Sequence, residues 1–258
     1  MKIRFLGTGT STGIPEIGCR CAVCSSSDPR DKRLRASVLV TLDDGRKILI
    51  DCSPDFRRQM LSTFEIEPFE RLDAVLLTHE HYDHVGGLDD LRIFCRHNPL
   101  DIYAENYVAE AIMRRIDYAF AERKYPGSPS LIMKKIGLET FDIEGQKILP
   151  IRLMHGKLPI FGYRIDDFAY LTDLKTIPDS EYEKLKGIDI LVINALRYEE
   201  HIAHQTITDA LAQVERIKPR RAFFTHLCHQ AGFHTELQKL LPENVDLAYD
   251  GLEISTDC

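Results

Sequence analysis

Short apolar runs of four to eight residues alternate with polar, turn-forming segments along the whole chain. In the first half, Ile3–Gly7, Ser37–Leu42, Lys47–Ile50 and Asp73–Thr78 read as strands, because apolar and β-branched residues gather there between turn formers. Asp43-Asp44-Gly45-Arg46 joins the second and third, and Asp-Gly between two such runs predicts a hairpin. Asp55–Leu61 reads as a short helix with proline at its start. Ala104–Phe120 carries a helical period, and Tyr125-Pro126-Gly127-Ser128-Pro129 follows as a loop. In the second half the strand candidates are Leu131–Ile136, Lys147–Met154, Phe161–Ile165, Phe168–Thr172, Ile188–Asn194 and Arg221–Thr225. Helix candidates are Ser180–Lys186, Ile207–Ile217 and His234–Leu241. Strand hairpins at the start of each half and helices towards its end predict two sheets packed together with helices outside. No linker is evident, so the expectation is one α/β domain over residues 1–258, with an irregular cysteine-bearing loop at about 18–35.

Composition narrows the function classes. At 258 residues, a single domain buries roughly 70–75% of the surface its unfolded chain exposes, so no disulfides are needed. Lys plus Arg number 33 against 40 Asp plus Glu, and the net charge of −7 disfavours a nonspecific grip on nucleic acid. No apolar run approaches the roughly 20 residues of a membrane span, and Met1–Gly7 lacks the pattern of a signal peptide. The expected setting is cytoplasmic. Gly7-Thr8-Gly9-Thr10-Ser11-Thr12-Gly13 departs from the dinucleotide spacing; it reads as a tight turn whose small residues let backbone approach a site.

The densest chemistry is Thr78-His79-Glu80-His81-Tyr82-Asp83-His84, directly after an apolar strand. Divalent metals take neutral imidazoles and carboxylates on converging vectors. Histidines two apart on an extended loop serve one point, while Asp83 and His84, at the turn into Val85-Gly86-Gly87, serve a second nearby. The spacing suits two neighbouring metals better than one.

This H-x-H-x-D-H pattern resembles the metallo-β-lactamase superfamily of hydrolases, whose fold is a four-layer αβ/βα sandwich. Asp51, His155, Asp173 and His226 follow strand candidates, where an α/β scaffold places its chemistry. The resemblance implies one metal on His79, His81 and His155, a second on Asp83, His84 and His226, and Asp173 bridging both. Zinc, manganese or iron suits such ligands. Asp51 is implied not to ligate but to accept an N–H from a ligand histidine. Two divalent ions, two aspartates and a bridging hydroxide leave a centre of about +1, which attracts a phosphodiester.

Cys19, Cys21 and Cys24 crowd into six residues and read as metal ligands, whereas Cys52, Cys95, Cys228 and Cys258 read as small core residues. Together with Thr225-His226-Leu227-Cys228-His229-Gln230, the cluster resembles a narrower subgroup, the 5-phosphoribosyl 1,2-cyclic phosphate phosphodiesterases. That resemblance implies a structural zinc on Cys19, Cys21, Cys24 and His229, with Cys228 as the reserve fourth ligand. It also implies a histidine ahead of a helix that acts on the leaving group; His204 matches, and His201 competes. His97 and His234 have no motif around them and are expected at the surface.

The activity so implied is hydrolysis of a small or cyclic phosphodiester by metal-bound hydroxide, with Asp83 and His204 in the catalytic set. Alternatives are a tRNA 3′-end endonuclease, which needs a basic arm not evident here, and a thioester or lactone hydrolase. Residues 104–129 are a candidate lid or homodimer surface.

Overall fold

The computed structural model describes residues 1–123 and 125–256. The chain lays down β1 (Lys2–Gly7), β2 (Ser37–Thr41), β3 (Lys47–Ile50), α1 (Phe56–Phe64), β4 (Ala74–Leu76), α2 (Tyr82–Val85), β5 (Leu100–Glu105), α3 (Asn106–Arg115) and β6 (Leu131–Ile136). It continues with β7 (Phe141–Ile143), β8 (Gln146–His155), β9 (Leu158–Ile165), β10 (Phe168–Leu171), β11 (Ile190–Asn194), α4 (Ile207–Ile217), β12 (Arg221–Thr225), α5 (His234–Gln238), β13 (Val245–Leu247) and β14 (Glu253–Ser255). Two seven-stranded sheets result, ordered β14-β1-β2-β3-β4-β5-β6 and β13-β12-β11-β10-β9-β8-β7.

Alternation along single strands explains the layers. Ile48 and Ile50 point into a core shared with Ile190, Val192 and Phe223 of the other sheet, while Leu49 points outward onto Phe56, Met60 and Ile112. On the far side, Leu191, Ile193 and Phe224 meet Ile207, Ala210 and Val214 of α4. Both faces of each sheet are thus covered, giving the four-layer αβ/βα sandwich. Within each sheet an antiparallel meander gives way to parallel strands: β3, β4, β5 and β6 in one, β10, β11, β12 and β13 in the other. Parallel strands end together, so the segments after β3, β4, β10 and β12 share one edge of the sandwich.

Several elements differ from the sequence reading. The helical period assigned to Ala104–Phe120 begins inside β5, which pairs with β4 and β6 and whose residues alternate buried and half-buried because successive side chains point to opposite faces of the sheet. The helix is Asn106–Arg115, and a 3₁₀ turn follows at Asp117–Ala119. Ser180–Lys186 is a 3₁₀ segment, Asp179–Leu185. Strands β7, β13 and β14 have three residues each, too few to show a period. His234 is buried, not at the surface, because α5 packs it against Arg33 and Tyr249. Cys258 lies outside the described residues. Among those described, no helix is long and apolar enough to cross a membrane.

Candidate metal centre

Asp51 directly follows β3, Thr78 and His79 follow β4, His155 ends β8, Asp173 follows β10, and His226 directly follows β12. Asp51, Asp173 and His226 have φ of 62°, 58° and 57°, the left-handed region that non-glycine residues occupy at a cost of order 1–3 kcal/mol each. Three bends of the same hand at one edge are a feature of the site, not of the scaffold.

Asp51 organises the neighbouring histidines. It accepts hydrogen bonds from Thr78 N at 2.9 Å, from Thr78 Oγ1 at 2.9 and 3.0 Å, and from His84 Nδ1 at 2.6 Å. Thr78 Oγ1 also lies 3.0 Å from His79 Nδ1. His155 Nδ1 donates to the backbone carbonyl of Asp173 at 2.7 Å. The Nδ1 atoms of His79, His84 and His155 are therefore engaged, and each ring keeps Nε2 for another partner. His79 Nε2 and His81 Nδ1 approach to 3.1 Å, and the rings of His81 and His155 are 5.2 Å apart.

Two groups share one carboxylate. Asp83, His84, Asp173 and His226 bring their ligand atoms within 4.8 Å of one another, as do His155, Asp173 and His204. Asp173 Oδ2 lies 2.6 Å from His84 Nε2 and 3.0 Å from His226 Nε2, and Oδ1 lies 3.4 Å from His204 Nδ1. These three nitrogens are buried and make no hydrogen bond. Burial opposes charge on His84, yet Asp173, Asp83 and Asp51 outweigh it and raise its pKa well above the ordinary value. His226 is likewise pushed up to about 9, mainly by Asp173 against the penalty of burial. Orphaned nitrogens facing carboxylates are what a divalent cation satisfies, releasing those protons, so the residues fit the metals that the fold implies.

The histidines of the loop before α4 divide. His201 Nδ1 accepts from the backbone N–H of Ala203 and of His204, each at 3.2 Å, and so shapes the turn. His204 reaches Asp173, and burial lowers its pKa to about 3. Thr206 caps α4 through a capping box with Asp209, which sets where this loop ends.

A second cluster gathers the thiols. Cys19, Cys21, Cys24 and His229 have ligand atoms within 4.8 Å of one another, and His229 Nδ1 is 3.5 and 3.2 Å from the Cys19 and Cys21 sulfurs. His229 hydrogen-bonds Cys21 and lowers its pKa to about 6. Glu16 Oε2, 3.1 Å from His229 Nε2, holds the other side of the ring. Cys228 turns away and donates to Gln230 Oε1 at 3.2 Å. The Thr8–Thr10 backbone pairs with Leu227, beside His226, through Leu227 N to Thr8 O and Thr10 N to Leu227 O, both 3.0 Å. Sequence reasoning did not single out Thr78 or Glu16; the hydroxyl directly before His79 was the available signal for the first, and nothing local marked the second.

A four-layer sandwich with this centre at its strand ends is the metallo-β-lactamase fold. A family model described as "Beta-lactamase superfamily domain" matches residues 46–227, and the chain belongs to that superfamily. It is similar to the crystal structure of a diphosphatase from the PhnP family, with a TM-score of 0.89 and 39% identity over 98% of this chain and 97% of that one; the chain falls in this PhnP-like subgroup. The zinc-bound PqqB structure from Methylobacterium extorquens shares the fold, with a TM-score of 0.80 and 20% identity over 99% of this chain and 100% of that one. A Porphyromonas gingivalis (strain ATCC BAA-308 / W83) protein named octanoyltransferase is 48% identical over 259 residues, 100% of this chain and 52% of that protein. The chain spans about half the length of the curated relatives it matches.

Proposed function

We propose that the chain is a phosphodiesterase acting on a small or cyclic phosphodiester. The observation that carries this reading is Asp173, whose Oδ2 faces His84 and His226 while its Oδ1 faces His204 in the group with His155. His79, His81 and His155 would hold one divalent ion, Asp83, His84 and His226 a second, with Asp173 between them; zinc, manganese and iron all suit this donor set. Such ions supply Lewis acidity and a water-derived nucleophile at neutral pH. With only two carboxylates among these ligands the loaded centre is cationic, which favours an anionic diester. Asp51 and Thr78 hold the imidazoles in register, and His204, kept neutral by burial, donates an N–H to the departing oxygen. Cys19, Cys21, Cys24 and His229 form a closed shell for a structural zinc, with no position left for substrate.

The PhnP-family diphosphatase supports phosphorus chemistry. The Porphyromonas relative, named octanoyltransferase and matched over 52% of its length, bears on a second reading, a thioester or lactone hydrolase. Turnover of bis-p-nitrophenyl phosphate, octanoyl thioester and pre-tRNA, each with and without chelator, tests the choice. The expected result is diester hydrolysis that chelator abolishes and added zinc or manganese restores. Thioester turnover without diester turnover would replace this reading with the second.

A further inference from the structure

Residues 195–206, between β11 and α4, contain no helix or strand, yet they present His204 to Asp173. What holds them is a small set of bonds. At the base, Leu196 N donates to Gln205 O at 3.3 Å, and Leu196 O accepts from Cys228 N at 3.1 Å. Gln205 is fastened to Asn194 O and to Leu174 O. Ala203 O lies 3.1 Å from His155 Nδ1. Between these anchors, Lys175 pairs with Glu200 at 2.8 Å and Arg197 Nη1 donates to Gln230 Oε1 at 2.7 Å. Arg197 also faces Glu199, at 3.4 Å from its carbonyl and 3.9 Å from its carboxylate, but those contacts stay within the loop.

The Arg197–Gln230 bond is different because of where Gln230 sits. It directly follows His229, whose Nδ1 faces Cys19 and Cys21, and lies four residues after His226. Cys228 donates to the same Gln230 oxygen, so the amide is oriented by two donors. One short segment, 226–230, therefore supplies a member of the dinuclear group, a member of the thiol cluster and the anchor of the His204 loop.

We infer that Gln230 and Arg197 are positioning residues through which the Cys19–Cys21–Cys24–His229 cluster holds the His204 loop against the reacting centre. A charge-assisted bond from a guanidinium is stronger and more directional than a neutral one, and it ends on a residue whose neighbour is locked when the thiol cluster binds metal. The inference rests on the leaving-group role proposed for His204.

The test uses full-length, metal-loaded protein and three variants: Gln230→Ala, Gln230→Glu, which keeps an acceptor for Arg197, and Arg197→Gln, which leaves the neighbour of His229 intact. Amide hydrogen exchange over 195–206, zinc per chain, and kcat and KM on a ribose cyclic phosphate and on bis-p-nitrophenyl phosphate are read for each. Gln230→Ala and Arg197→Gln are expected to speed exchange across the loop with zinc unchanged. They should also lower kcat on the ribose cyclic phosphate on the order of 10-fold more than on the nitrophenyl ester, the scale of a small misplacement. Gln230→Glu should restore both. Unchanged exchange in both disrupting variants overturns the inference. So does an equal kcat loss on both substrates where His204→Ala discriminates between them. If His204→Ala itself shows no discrimination, the leaving-group reading fails, and the exchange data alone decide whether Gln230 anchors the loop.

Discussion

His84 Nδ1 lies 2.6 Å from Asp51 Oδ2, and both side chains are fully buried. The same carboxylate reaches His79 through the Thr78 hydroxyl, so one residue braces imidazoles in both proposed ligand sets. Carboxylates behind metal-binding histidines fix ring orientation and raise basicity, and losing one typically weakens metal binding about 10–100-fold. Asp51→Asn is expected to fall in that range, measured by competition with a fluorescent chelator. Wild-type affinity would take Asp51 out of the site.

Among the described residues, Asp173 is the only carboxylate shared by the two groups. Asp173→Ala should remove the dinuclear metal load and abolish phosphodiesterase activity together, because the three nitrogens it faces lose their common partner. Metal content by plasma emission and turnover of bis-p-nitrophenyl phosphate check both. Full activity with a full metal load would end the two-metal reading.

How much of this was legible follows from how local each signal is. His79, His81, Asp83 and His84 share one loop, so their spacing alone announced a site, and His155, Asp173 and His226 stood out because each follows an apolar run. Helix α4 was read to the residue, since Thr206, Asp209 and the apolar period agree. Strand β5 was missed because the helical period of Val108, Ala109 and Ile112 masks a shorter alternation just before it. The burial of His234, the pairing of Glu16 with His229 and the reach of Arg197 to Gln230 join residues 201, 213 and 33 positions apart. No local pattern encodes such contacts.

Cys21 is exposed, and its sulfur lies 3.2 Å from His229 Nδ1. A closed metal site there would tie residues 19–24 to the segment after β12, so its loss would act on folding before chemistry. Cys21→Ser should lose about one zinc equivalent and melt earlier, while the soluble fraction keeps its dinuclear metals. An unchanged zinc count and melting curve would remove this site from the account.

His234 gives a pH prediction. Burial first, then Arg33 and Arg30, lower its pKa to about 4, with Asp28 and Asp31 opposing. The unfolded chain therefore binds more protons between about pH 4 and 6.5, so stability rises with pH through that window and is lost on acidification. At about 1.4 kcal/mol per unit the contribution is at most roughly 3 kcal/mol. Asp250, raised to about 6 by burial, works in the opposite sense below pH 6, because the folded state holds its proton more tightly. His234→Gln should thus flatten or invert the dependence between pH 4 and 6 relative to the wild type, read from urea midpoints. Parallel profiles would show that His234 does not titrate on unfolding.

His204 would separate two kinds of contribution to the proposed reaction. Its side chain is 12% exposed, with Nδ1 3.4 Å from Asp173 Oδ1 and its ring 4.6 Å from His155. The nitrogens of His79, His84 and His155 that face away from the centre are engaged with Thr78, Asp51 and the Asp173 carbonyl. They have no N–H to spare for a leaving group, whereas His204 Nδ1 is buried and makes no hydrogen bond. Losing a positioned acid–base or hydrogen-bonding group typically costs on the order of 10²–10⁴ in rate, but only when the departing oxygen needs that stabilisation. A ribose alkoxide needs it; p-nitrophenolate is stable without it. His204→Ala is therefore expected to lose 10²-fold or more on a ribose cyclic phosphate and far less on bis-p-nitrophenyl phosphate, with metal content unchanged. Equal losses on both substrates together with lost metal would make His204 a ligand beside His155 and Asp173. A negligible effect, next to a large one for His201→Ala, would transfer the role to His201.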